Sequence, residues 1–86
     1  MSVLYFSANW CSPCKAFKPI LQQTAAQLGI AINHIDIDTQ SSIAQQYNIN
    51  SVPTLIILDN TTGQIKHRSS GTMSATQLAN VLSMAK

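Results

Sequence analysis

The chain of 86 residues contains no glutamate and only three aspartates, Asp36, Asp38 and Asp59. That scarcity leaves little for chemistry that needs paired carboxylates. Asp36 and Asp38 read instead as a strand end and a helix cap. Charged residues make up 9% of the chain, against a usual level of about a quarter, so Ser, Thr, Asn and Gln must cover much of the surface. The five basic residues, Lys15, Lys18, Lys66, Arg68 and Lys86, are scattered rather than striped, and a net charge of +2 is too small to point to nucleic acid. No apolar run is long enough to span a membrane. No basic leader precedes the first apolar run, so the chain is expected in the cytoplasm. Hydrophobic residues at 45% with little net charge argue against disorder, and the length fits a single domain over residues 1–86.

Cysteine and tryptophan are as scarce: two of the first and one of the second. All three lie in Asn9-Trp10-Cys11-Ser12-Pro13-Cys14-Lys15. A Cys-x-x-Cys pair puts two thiols one helical turn apart, close enough to bond to each other. Three readings compete: a redox dithiol, half of a metal site, or two buried cysteines of no special role. A metal site needs further ligands, and His34 and His67, the only histidines, match no common zinc spacing. A purely structural disulfide does not suit a reducing compartment.

The flanking chain favours the redox reading. Met1 to Asn9 reads as a strand, with Val3, Leu4, Tyr5 and Phe6 as an apolar, aromatic run. Phe17, Ile20, Leu21, Thr24, Ala25 and Leu28 recur at helical spacing. The pair therefore sits where a strand ends and a helix begins. The first turn of a helix has backbone N–H groups without internal partners, and the helix dipole is positive there. Both stabilise a thiolate on Cys11 and lower its pKa, which makes it the attacking sulfur. Cys14, one turn deeper, is expected to be more shielded and to resolve. Pro13 fits the first turn, where its missing N–H costs nothing.

Gly29 reads as the helix C-cap. Ile30 to Asp38 is a second strand, with Ile30, Ile32 and His34 on one face and Ala31, Asn33, Ile35 and Ile37 on the other. Apolar residues on both faces predict a strand covered on both sides. Thr39 to Tyr47 reads as a short helix ended by Asn48. Thr54 to Asp59 and Gln64 to Ser69 form a hairpin around Asn60 to Gly63. Ile65 and His67 are expected on one face of it, with Lys66 and Arg68 solvated on the other. Ser74 to Gln77 fits a capping box that opens a last helix, in which Ala75, Leu78, Ala79 and Leu82 repeat at helical spacing to the C-terminus. The fold class is α/β, in the order β-α-β-α-β-β-α.

Trp10-Cys11-Ser12-Pro13-Cys14-Lys15 resembles the Trp-Cys-Gly-Pro-Cys-Lys site of the thioredoxin family. Pro19 within the first helix, Ser51-Val52-Pro53-Thr54 before a strand, and Gly71 before the last helix extend the likeness over most of the chain. The resemblance implies a minimal thioredoxin fold, a four-stranded mixed sheet in the order β2-β1-β3-β4 with helices on both faces. It implies a protein-disulfide reductase that works through Cys11 and Cys14 and carries electrons as their disulfide, with no bound cofactor. Its partners would be protein disulfides and, as electron donor, a flavoprotein thioredoxin reductase or glutathione; a monomer is expected. On its own, Pro53 reads as a proline at a strand entrance. By resemblance the Val52-Pro53 bond is cis and lies against the dithiol, so that Val52 offers its backbone to a substrate strand. Trp10 is expected partly exposed beside Cys11, Lys15 adds slight positive potential, and Gly71 either leaves room for an approaching backbone or is a simple turn glycine.

Four departures matter. Thioredoxins carry a strand and a helix ahead of the active-site strand, whereas this sequence begins at that strand. The buried acid usual six residues before the first cysteine is Tyr5, and its usual lysine partner falls at His34. Tyrosine accepts protons poorly near neutrality and histidine titrates there, so His34, acting through Tyr5, is one candidate proton relay for Cys14. Simple core filling by both residues is the other reading. Ser51 and Ser70 make the docking rim more polar than usual. The size is that of a glutaredoxin, which keeps a glutathione-dependent enzyme open, and an adaptor with dispensable thiols is a third possibility.

Overall fold

The computed structural model describes residues 1–85. It contains β1 (Ser2–Ser7), α1 (Ser12–Leu28), β2 (Ile32–Asp36), α2 (Ser41–Gln46), β3 (Thr54–Leu58), β4 (Ile65–Ser70) and α3 (Ala75–Ser83). The strands form one mixed sheet in the order β2-β1-β3-β4. β1 runs parallel to β2 and antiparallel to β3, and β4 is antiparallel to β3. The expected fold is present, with most elements trimmed at their ends. The last helix ends at Ser83 rather than at the C-terminus, and Lys86 lies outside the described residues.

Alternation along the two inner strands builds two cores. Val3 and Tyr5 of β1 join Leu55 and Ile57 of β3 on one face, under Phe17, Leu21 and Ala25 of α1 and Leu78 and Leu82 of α3. Leu4 and Phe6 join Ile56 on the other face, with Ile35, Ile43 and Tyr47. A strand buried on both faces has no polar positions, which is why β1 and β3 read as continuous apolar runs. Burial of Leu78 and Leu82 is worth about 1.5–3 kcal/mol each. A complete capping box between Ser74 and Gln77 starts that helix. Gly29 ends α1 at φ 71°, a left-handed conformation that lets its N–H reach the Ala25 and Ala26 carbonyls.

Several expectations change. β2 is an edge strand, so only its isoleucines are covered, while Asn33 and His34 are exposed. Ile20 lies on the outer side of α1 and is 39% exposed. A register shift sets Ile65 opposite Leu58 and His67 opposite Ile57, so the two do not share a face. Arg68 is not simply solvated: its guanidinium donates to the Tyr47 and Asn48 carbonyls at the end of α2. Asp38 does not cap α2, which starts after Gln40 without a side-chain cap. Asp36 does end β2, and its carboxylate accepts the N–H groups of Asp38 and Thr39.

Candidate active site

Three segments converge at one end of the sheet. β1 runs out at Ser7, β3 begins at Thr54 opposite Phe6, and β4 ends at Ser70 opposite Thr54. After β1 the chain turns, with the Cys11 N–H on the Ala8 carbonyl at 3.1 Å, and α1 follows at once. Cys11 is therefore the N-cap of α1, and Cys14 falls one turn inside it.

The two cysteines form a disulfide with Cα atoms 5.3 Å apart. The Cys14 N–H donates to the Cys11 Sγ at 3.2 Å. Sulfur thus takes the place that a serine or aspartate oxygen usually fills at a helix start. The same geometry stabilises negative charge on that sulfur when the bond opens, through the donated N–H and the helix dipole. Pro13 sits in the first turn, as expected. Both residues are buried, Cys11 at 4% and Cys14 at 2% accessible, so Cys14 is the more shielded as expected but the contrast is slight. Their difference lies in the cap, where only Cys11 faces the open helix end.

Around the pair, Ala8 completes a small buried cluster with Ile37 and Val52 packed against it. The Val52-Pro53 peptide is cis, and Pro53 is buried. The Thr54 hydroxyl donates to the Ser51 carbonyl at 2.7 Å and holds this loop. The Pro53 carbonyl accepts the Gly71 N–H at 2.8 Å, tying the end of β4 to the same place. Gly71 has φ 82° with open space where a Cβ would lie. The positive φ favours glycine here, and the open space beside it is free. Trp10 is 66% exposed beside Cys11, and its indole N–H donates to Asp38 Oδ2 at 3.0 Å. Lys15 is exposed on α1.

Tyr5 and His34 are neighbours on β1 and β2, with rings edge to face at 5.8 Å. The Tyr5 hydroxyl, fully buried, donates to the backbone carbonyl of Cys14 at 3.0 Å. It is thus bound to the helix backbone rather than set between His34 and a sulfur. Burial pushes its pKa up to about 12, so it neither accepts nor releases a proton near neutrality. His34 is lowered by partial burial, and further by the Lys18 charge. Among the described residues, no cluster of three His, Cys, Asp or Glu side chains forms that could hold a metal. Sequence reasoning missed Asp38, Ile37 and Ala8 as neighbours of the site. Ala8 is a chain neighbour of the motif, but no local signal marks Asp38, which meets Trp10 across 28 residues of chain.

The redox group is the sulfur pair itself, which stores two electrons as thiols and releases them as a disulfide. A sheet that presents such a pair at a helix start defines a thiol–disulfide oxidoreductase domain. The family model described as Thioredoxin matches residues 1–84, and the chain belongs to the thioredoxin family. It is 42% identical over 82 residues to the chloroplastic thioredoxin Y of rice, covering 93% of this chain but 48% of that protein. It is 38% identical over 79 residues to thioredoxin of Chlamydia trachomatis, covering 91% of this chain and 76% of that one. The chain thus spans about half of the first relative and about three quarters of the second. Thioredoxin 1 of Thermosipho africanus superposes with a TM-score of 0.83 at 32% identity, over 98% of this chain and 92% of that one.

Proposed function

We propose that this chain reduces protein disulfides in the cytoplasm as a monomeric electron carrier. The observation that carries the reading is the Cys11 sulfur serving as the N-cap of α1, with the Cys14 N–H directed at it. The Cys11 thiolate attacks one sulfur of a substrate disulfide, forming a mixed disulfide and releasing one substrate thiolate. The Cys14 thiolate then attacks Cys11 Sγ, the bond from Cys11 to substrate breaks, and the second substrate thiolate leaves. The substrate gains two electrons and takes two protons from water, while the protein retains the Cys11–Cys14 disulfide. A flavoprotein thioredoxin reductase or glutathione returns the electrons.

The rim around Cys11 is the docking surface in this reading. Val52 precedes the first ladder pair of β3, Thr54 with Ser70, and packs on the dithiol cluster, which supports a substrate segment pairing with its backbone as an added strand. Trp10, Pro13, Pro53 and Gly71 border that segment. The test is reduction of an insulin-type disulfide with a dithiol as electron source, alongside a Cys14→Ser variant. The wild type should turn over, and the variant should hold the substrate as a mixed disulfide on Cys11. Retained partner function in the double cysteine-to-serine variant, with no disulfide reduction, would mean an adaptor. Turnover of glutathione mixed disulfides alone would mean a glutaredoxin-like enzyme.

A further inference from the structure

Behind Cys14 lies a cavity of about 80 Å³ that none of the roles above uses. It is lined by Ser7, Ala8, Asn9, Cys14, Lys15 and Lys18. Its volume and polar lining suit a few waters. Two of its six lining residues are cations, and none is an anion. We infer that Lys18 is a positioning residue for the resolving step, keeping positive charge over the cavity on which Cys14 opens so that the Cys14 thiolate is available to attack. This rests on the reductase reading of the same dithiol.

Of the two lysines that line the cavity, Lys18 stands four residues after Cys14, on the same face of α1, whereas Lys15 is its chain neighbour and lies off that face. From β1, Tyr5 is committed to the Cys14 carbonyl as a donor. From β2, His34 lies beside the Tyr5 ring, and Lys18 itself disfavours the protonated imidazole. Asp36 sits across from Ser7, but its carboxylate is engaged by the Asp38 and Thr39 N–H groups. From α1 come Lys15 and Lys18, on the two turns that carry Cys14. A nearby cation favours the ionised form of an acid, and Lys18, exposed on α1, lines the same cavity as Cys14. When the mixed disulfide forms, the Cys14 thiol loses its proton to cavity water. The resulting thiolate forms the bond to Cys11 Sγ, and the electron pair of the broken bond leaves with the substrate sulfur.

The experiment titrates Cys14 alone, in the Cys11→Ser protein, by thiolate absorbance with Lys18 intact, Lys18→Gln or Lys18→Arg. The Lys18→Gln change should raise the Cys14 midpoint by about half to one pH unit, lowering the thiolate fraction near neutrality about three- to tenfold. Lys18→Arg should restore it. With both cysteines present, Lys18→Gln should slow release of substrate from the mixed disulfide by a similar factor while leaving the rate of Cys11 alkylation unchanged. An unmoved Cys14 midpoint overturns the inference. So does an equal shift in the Gln and Arg variants, which would mean a structural effect. Neither result touches the reductase reading, which the insulin-type assay of the wild type decides separately.

Discussion

Replacing Tyr5 with phenylalanine separates a packing role from a proton-handling one. The ring stays, with its contacts to Phe17 at 6.1 Å and to His34, and only the hydroxyl bond to the Cys14 carbonyl is lost. One neutral buried hydrogen bond is worth about 0.5–1.5 kcal/mol. At pH 7 the oxidised Tyr5→Phe protein should therefore be less stable by about 1 kcal/mol in urea denaturation, with Tm lower by about 4–8 °C. The pH dependence gives a second, opposite signature. The folded Tyr5 phenol is raised to about 12, whereas in the unfolded chain it titrates near its ordinary value of about 10. Above the unfolded value, the unfolded state binds fewer protons, so stability falls as pH rises. The contribution is complete below about pH 10 and is lost as pH climbs through about 12. The full shift corresponds to about 2.7 kcal/mol, which solvent screening near the helix start reduces to about 1–2 kcal/mol. The Tyr5→Phe protein lacks this term, so the gap between the two proteins should close between pH 10 and 12. Its disulfide-reduction rate should keep the wild-type pH midpoint. Equal stability at pH 7, or a shifted rate midpoint, would refute the assignment of Tyr5 to the Cys14 carbonyl.

Three further outcomes follow from the same geometry. His34→Ala should leave the pH–rate profile of disulfide reduction in place; because the folded His34 pKa is lowered, its only pH signature should be a small stability term, present above the unfolded value of about 6.5 and lost as pH falls through the folded one. Gly71→Ala should cost about 1–2 kcal/mol from the positive φ alone, read by denaturation, with no steric term because the space beside it is open. Arg68→Ala should remove both donors from the end of α2, costing about 1–2 kcal/mol and speeding amide exchange in that helix well beyond the rest of the protein.

Much of the site was legible because its parts are local. The Cys11–Cys14 spacing, the apolar run before it and the helical period after it place the pair at a strand-to-helix junction without any distant contact. The same holds for Gly29 as a C-cap and for the Ser74–Gln77 capping box. Cys14 is the more shielded of the two, as expected, but only slightly, because the sheet end buries both residues. The reading of β2 as covered on both faces failed in part for the opposite reason. Its isoleucines do pack on both sides, but an edge position leaves Asn33 and His34 in solvent.

The amino-acid order by itself determined which elements form and in what order, which residues alternate inward on β1 and β3, and which two sulfurs meet, since neighbours within a few residues set all of these. Only the tertiary structure decided what the remaining polar groups bind. Tyr5 reaches the Cys14 carbonyl, Trp10 reaches Asp38, and Arg68 reaches the end of α2. A buried or half-buried polar group must find a partner, but which one it finds depends on how distant segments stack, and spacing along the chain carries no record of that.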